Sequence, residues 1–175
     1  MATSSKPRRK YRPRAQVASP LALAMRRASK IPAGELAVVM EPILASFAHL
    51  REGVATEAQW MVLAGSVELA LAIERQGVVR GVQGHLTAAE RALAAIRHRA
   101  MDSGSWRPPA LYWQEIEALD TFLPIHKFQL ENLSEGEWRR AADQAEAVVR
   151  SAGGQVLDIR ELEGEQLQLL GEGAK

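Results

Sequence analysis

Residues 56–77 read TEAQWMVLAGSVELALAIERQG, and this stretch decides the fold class. Thr56 and Gln59 stand three apart, the spacing at which each side chain can satisfy a backbone amide of the other at a helix start. Behind them Trp60, Leu63, Val67 and Leu71 recur at intervals of three and four, with Ala64 and Ala70 beside them. That rhythm lines one face of an α-helix, and Gly77 supplies its stop.

The pattern repeats on either side. In residues 33–52, Leu36, Val39, Met40, Ile43, Phe47 and Leu50 form a second stripe that ends at Gly53. Pro42 sits inside it and should kink the helix or start a new one, because it lacks a donor and crowds the preceding turn. Beyond Gly77, Gly81 and Gly84 weaken any helix start. Thr87 and Glu90 read as another capping box on a stripe of Leu86, Ala89, Leu93, Ile96 and Ala100, closed by Ser103-Gly104-Ser105. Trp106-Arg107-Pro108-Pro109 is a rigid connector. A helix follows it with Ile116, Leu119, Leu123 and Leu130 inward, and Pro124 is expected to kink or divide that helix. Ser134 and Glu137 give a third box, with Trp138, Ala142, Ala145 and Val149 inward as far as about residue 152.

Composition agrees. The chain is 47% hydrophobic, enough for a core, but only 5% aromatic, and its apolar residues are largely Ala, Leu and Val. Ala and Leu favour helices. The expectation is an all-α fold: an antiparallel bundle of four or five helices over residues 20–159, with short loops. Pro20 at a first helical position allows a short helix over residues 20–30. Residues 1–19 read as a disordered basic arm, because like charges repel and there is little to bury. Residues 156–159 are expected to dock as a short extended piece, and residues 160–175 to form a mobile acidic tail. No repeat of solenoid length is evident.

Charge is distributed unevenly. Nine of the 22 basic residues lie in residues 1–30, which contain no acid, leaving 13 bases against all 21 acids elsewhere, a net of −8. A basic arm on an acidic body points to a polyanionic partner for the arm. Lys6, Arg8, Arg9, Lys10, Arg12 and Arg14 supply cations for phosphates, the arginines in bidentate fashion, and Tyr11 can stack on a base. DNA or RNA is therefore the expected partner of the arm, with a solubilising tail as the plain alternative. Attraction to an anionic membrane surface is a weaker option, since no bulky apolar residue precedes Leu21, and no membrane partner is expected. No apolar run approaches the roughly 20 residues of a membrane span. Residues 1–30 also have the Arg-rich, acid-free composition of an organelle transit peptide, but Pro7, Pro13 and Pro20 interrupt the amphipathic helix that would need. The lack of cysteine removes disulfides, thiolate metal sites and a cysteine nucleophile, and fits a cytoplasmic location.

Catalytic signatures are missing. His49, His85, His98 and His126 have no helical metal spacing and read as surface or partly buried residues. Glu115, Glu117 and Asp120 read as a solvated helix face, without the Glu-x-x-His of a di-iron bundle. There is no Gly-x-Ser-x-Gly elbow, phosphate loop or dinucleotide fingerprint. No enzyme activity, cofactor or metal is expected. No helix starts with the Arg, Asn and Gln residues a base-reading helix-turn-helix needs.

Trp106, Arg107, Tyr112 and Trp113 form an aromatic cluster typical of interaction hot spots. The favoured reading is that these rings staple a loop onto the body, because a small all-α core with few aromatics needs its large side chains inside. The second functional expectation is a protein-interaction adaptor, or a homodimer, using this region.

The segment Arg9-Lys10-Tyr11-Arg12-Pro13-Arg14, followed by an Ala/Leu-rich helical body, resembles short helical proteins of proteobacterial prophages and plasmids. Some of these are described as Fis-type transcriptional regulators. The resemblance implies a bacterial mobile element and a role in transcription regulation. Residues 131–175 hold ten acids and five bases, where a Fis-type regulator carries a basic, amide-rich helix-turn-helix, so no functional residue is transferred.

Overall fold

The computed structural model describes residues 19–153. The expected basic arm, the extended piece at 156–159 and the acidic tail lie outside them. Six helices are present among the described residues: α1 (Pro20–Ala28), α2 (Ala33–Glu52), α3 (Glu57–Gln76), α4 (Gln83–Ala100), α5 (Trp113–Asn132) and α6 (Glu135–Ser151). They contain no strand, only an isolated bridge between Lys30 and Ser134. The protein is all-α.

α3 begins and ends as its sequence predicts. The Thr56 hydroxyl accepts from Gln59 N–H at 3.2 Å, and the Gln59 amide oxygen accepts from Thr56 N–H at 2.9 Å. Gly77 stops the helix in the left-handed conformation (φ 78°), as Gly53 does for α2 (φ 73°), where a Cβ would be strained. α3 is also the central element, packing against α2, α4, α5 and α6. Accordingly Leu63, Ala70, Ala72 and Ile73 lose all exposure to water. Burial of a leucine or isoleucine side chain is worth about 1.5–3 kcal/mol, so the central position holds the assembly together.

Several expectations are corrected. Pro42 and Pro124, each expected to kink or divide its helix, do not divide them. Each removes one donor, but buried residues on both sides (Leu36, Met40, Ile43, Phe47 and Leu50 in α2) keep both halves on the same core. With α1 also formed, six helices stand where four or five were expected. The Thr87–Glu90 capping box is absent, because α4 starts five residues earlier with Val82 as an uncharged cap. Val82 packs on the core, and Glu74 accepts from Gly81 N–H at 2.9 Å, so tertiary contacts set this start. Ser134 and Glu137 do cap α6, and the hydrogen bonds from Ser134 hold the Glu137 carboxyl below its usual range.

α2 is long and apolar enough, on length and composition alone, to cross a membrane. Its apolar side nevertheless serves the core shared with α3 and α5.

α1 is different in kind. Ser19 caps it by accepting from Ala22 N–H at 3.1 Å, yet none of its residues is buried. It is moored to the start of α6 by polar contacts: Arg26 to Glu135 at 3.0 Å and Glu135 N–H to the Ser29 carbonyl at 2.9 Å.

Candidate functional site

The four aromatic-loop residues singled out by sequence separate into two roles. Trp106 turns inward: its Nε1 donates to the Ala55 carbonyl at 2.7 Å, and its ring lies 6.2 Å from that of Trp60. Trp60 in turn donates to the Leu93 carbonyl at 3.0 Å, with Arg97 above its ring at 5.4 Å. These contacts tie the loop to the α2–α3 turn and to Trp60 of α3, which in turn reaches α4, the stapling geometry. Arg107 is exposed, and its backbone N–H donates to the Ala100 carbonyl at 2.9 Å.

Tyr112 and Trp113 turn outward, 59% and 66% exposed. Their frame is rigid. Arg99 donates to both oxygens of Glu115, each at 2.7 Å, and its guanidinium lies 4.4 Å from the Tyr112 ring. Glu115 also accepts from the Tyr112 N–H at 2.8 Å, satisfying a free amide at the start of α5. The Arg99 pKa is raised, chiefly by this bond to Glu115. Glu115, expected on a solvated face, is buried instead; the partner that allows this comes from α4, beyond the reach of any local pattern.

Glu117 and Asp120 do face water, and neither has an ion-pair partner among the described residues. With Trp113, Pro124 and Phe128 they follow one another at intervals of four, three, four and four. At 3.6 residues per turn this is a single outward stripe of α5. Phe128 is 57% exposed and Pro124 is exposed as well.

A groove of about 790 Å³ runs between α3 and α4, floored by Trp60, Ala64 and Leu93. Glu68 and Glu90 lie at one end, Arg97 and His98 toward the other. Burial, reinforced by Glu90, raises the Glu68 pKa.

His126 contradicts its reading as a surface or partly buried residue. It is fully buried on α5, stacked on Phe122 at 5.3 Å, and neither ring nitrogen has a hydrogen-bond partner among the described residues. Burial pushes its pKa down to about 4, with Gln129 acting the other way. Gln129 is also buried and donates to the Ala70 carbonyl of α3 at 3.1 Å. Among the described residues no group of three or more His, Asp or Glu side chains is placed to hold a metal.

Lys6, Arg8, Arg9, Lys10, Tyr11, Arg12 and Arg14 lie outside the described residues. What the structure describes of the basic segment is its continuation, with Arg26, Arg27 and Lys30 exposed on and just after α1. No protein-family model matches this chain, nor does any curated protein or solved structure.

Proposed function

We propose that the chain is an accessory nucleic-acid-binding protein, a non-enzymatic cytoplasmic component of a phage or plasmid, that contacts phosphates through residues 6–14. The observation that carries this reading is the run of nine bases without an acid in residues 1–30. α1 adds support: it continues the run with Arg27 exposed and is moored to α6 by Arg26. Phosphate contacts of this kind give affinity without reading sequence. The helices form an antiparallel bundle that presents the arm, and a role in transcription regulation follows from the mobile-element context.

The test is fluorescence anisotropy of labelled duplex DNA, single-stranded DNA and RNA across a salt series. Five or so neutralised phosphates correspond to a log–log slope of about −4 to −5 on duplex DNA. Replacing Arg8, Arg9, Arg12 and Arg14 with Ala leaves two lysines, so the slope should fall to about −2. No binding by the full chain at low salt would end this reading.

A second reading, a protein-interaction adaptor, is favoured by one observation. Tyr112 and Trp113 are exposed on a frame locked by Arg99 and Glu115. Exposed aromatics on a rigid support are typical anchors for a partner. Trp113→Ala would remove that activity, while phosphate binding, carried by residues 6–14, would persist.

A further inference from the structure

The outward stripe of α5 has two aromatic ends and an acidic middle. Trp113 and Phe128 stand about 22 Å apart along the helix axis, at 1.5 Å per residue. Between them lie Glu117, Asp120 and Pro124, and the two carboxylates have no cation of their own among the described residues. Such a face suits an extended ligand with apolar rings at both ends and cations between them.

The chain itself contains a segment of that description. Lys6-Pro7-Arg8-Arg9-Lys10-Tyr11-Arg12-Pro13-Arg14 has prolines six residues apart with three arginines and a lysine among them. In the polyproline conformation six residues advance about 19 Å, close to the spacing of the two aromatic ends. Proline rings pack well on exposed aromatic side chains in this conformation.

The chain length between Ser19 and the two prolines bounds the span they can cover. The end of α1 is fixed to the α5–α6 turn by the Lys30–Ser134 bridge and by the Glu135 N–H bond to the Ser29 carbonyl. α1 itself is only about 13 Å long, at 1.5 Å per residue. From Ser19, Pro13 can extend up to about 20 Å and Pro7 about 40 Å, at 3.3 Å per residue. The Phe128 end of α5 is the end nearest the α5–α6 turn, so a segment laid along the stripe from α1 would bring Pro13, the proline nearer α1, to Phe128 and Pro7 to Trp113.

We infer that the α5 stripe is the docking surface for residues 6–14 of the same chain. Pro7 packs on Trp113, Pro13 packs on Phe128, and the arginines between them pair with Glu117 and Asp120. This docking stands whether or not the arm binds nucleic acid. Its consequence is that a polyanion must displace two carboxylates to reach the arm, so the arm is partly masked by its own body.

The chain has no cysteine, so Ser5→Cys in the full-length protein places one nitroxide label beside the segment. The expected result at low salt is broadening of the amide signals of Trp113 and Glu117 that weakens along the stripe toward Phe128, with the signals of α6 as the reference. Glu117→Lys with Asp120→Lys should abolish it. Adding Arg8→Glu, Arg9→Glu, Lys10→Glu and Arg12→Glu to that variant should restore it, because the segment then carries four acids against Lys6 and Arg14; a mere loss of folding would not be rescued this way. Uniform or absent broadening, broadening that survives the double lysine variant, or a failed restoration would overturn the docking. So would loss of the signal on dilution with unlabelled chain, which would place the arm on a second copy.

Discussion

Arg99 on α4 and Glu115 on α5 form a two-pronged ion pair, Nη1 to Oε1 and Nη2 to Oε2, each at 2.7 Å. The carboxylate is almost fully buried, and its second oxygen also accepts from the Tyr112 amide. One side chain therefore joins two helices and caps the second of them.

Removing Arg99 leaves a buried carboxylate without its cation. Arg99→Ala should cost about 2–3 kcal/mol, below the range for a deeply buried pair because the arginine is partly exposed. Arg99→Lys should recover only part of this, since an ammonium cannot supply the parallel fork. Urea denaturation of the three proteins measures both. A cost for Arg99→Ala within experimental error would show that water replaces the pair.

His126 makes stability depend on pH. Its folded pKa is about 4, against 6.5 for an unburdened histidine. Between those values the unfolded chain binds the proton and the folded one does not, so stability falls as pH drops from 6.5 toward 4. The full loss for this one group is about 3 kcal/mol, from 1.36 kcal/mol per pKa unit. His126→Leu should flatten this part of a denaturation-versus-pH curve. An unchanged slope would assign the acid sensitivity to other groups.

Gly136, in the first turn of α6, lies under α1. A Cβ built there would sit 3.0 Å from the Arg27 carbonyl oxygen. Gly136→Ala should therefore displace α1, although alanine is the better helix former. Since α1 buries no residue, global stability should change by less than about 1 kcal/mol while trypsin cuts faster after Arg26 and Arg27. Equal cutting rates in the two proteins would show that α1 tolerates the shift.

The core has a clear centre. Leu63 is completely buried on α3, whereas Leu44 on α2 is 49% exposed. Leu63→Ala should cost about 2–5 kcal/mol and Leu44→Ala less than about 0.5 kcal/mol. Thermal or chemical unfolding of the pair tests whether α3 is the element on which the others depend.

Helix identity was legible wherever the signal is local. The Thr56–Gln59 and Ser134–Glu137 boxes, the glycine stops at 53 and 77, and the stripe from Leu86 to Ala100 all depend on residues within a few turns. The inward direction of α5 was legible only in part. Leu119, Leu123 and Leu130 were read as core, while Phe122, His126 and Gln129 share the same interior. A polar residue gives no sign of burial when what shields it belongs to another helix, as α3 does for Gln129.

The sequence alone determined that this protein is helical and that its positive charge is concentrated in the first 30 residues, because periodicity and charge are properties of neighbours along a chain. Only the tertiary structure decided that Glu115 is buried and Glu117 exposed, that Trp106 turns inward while Trp113 faces water, and that His126 loses its solvent. Each of those outcomes depends on which distant side chain arrives to supply a hydrogen bond, a counter-charge or an apolar cover.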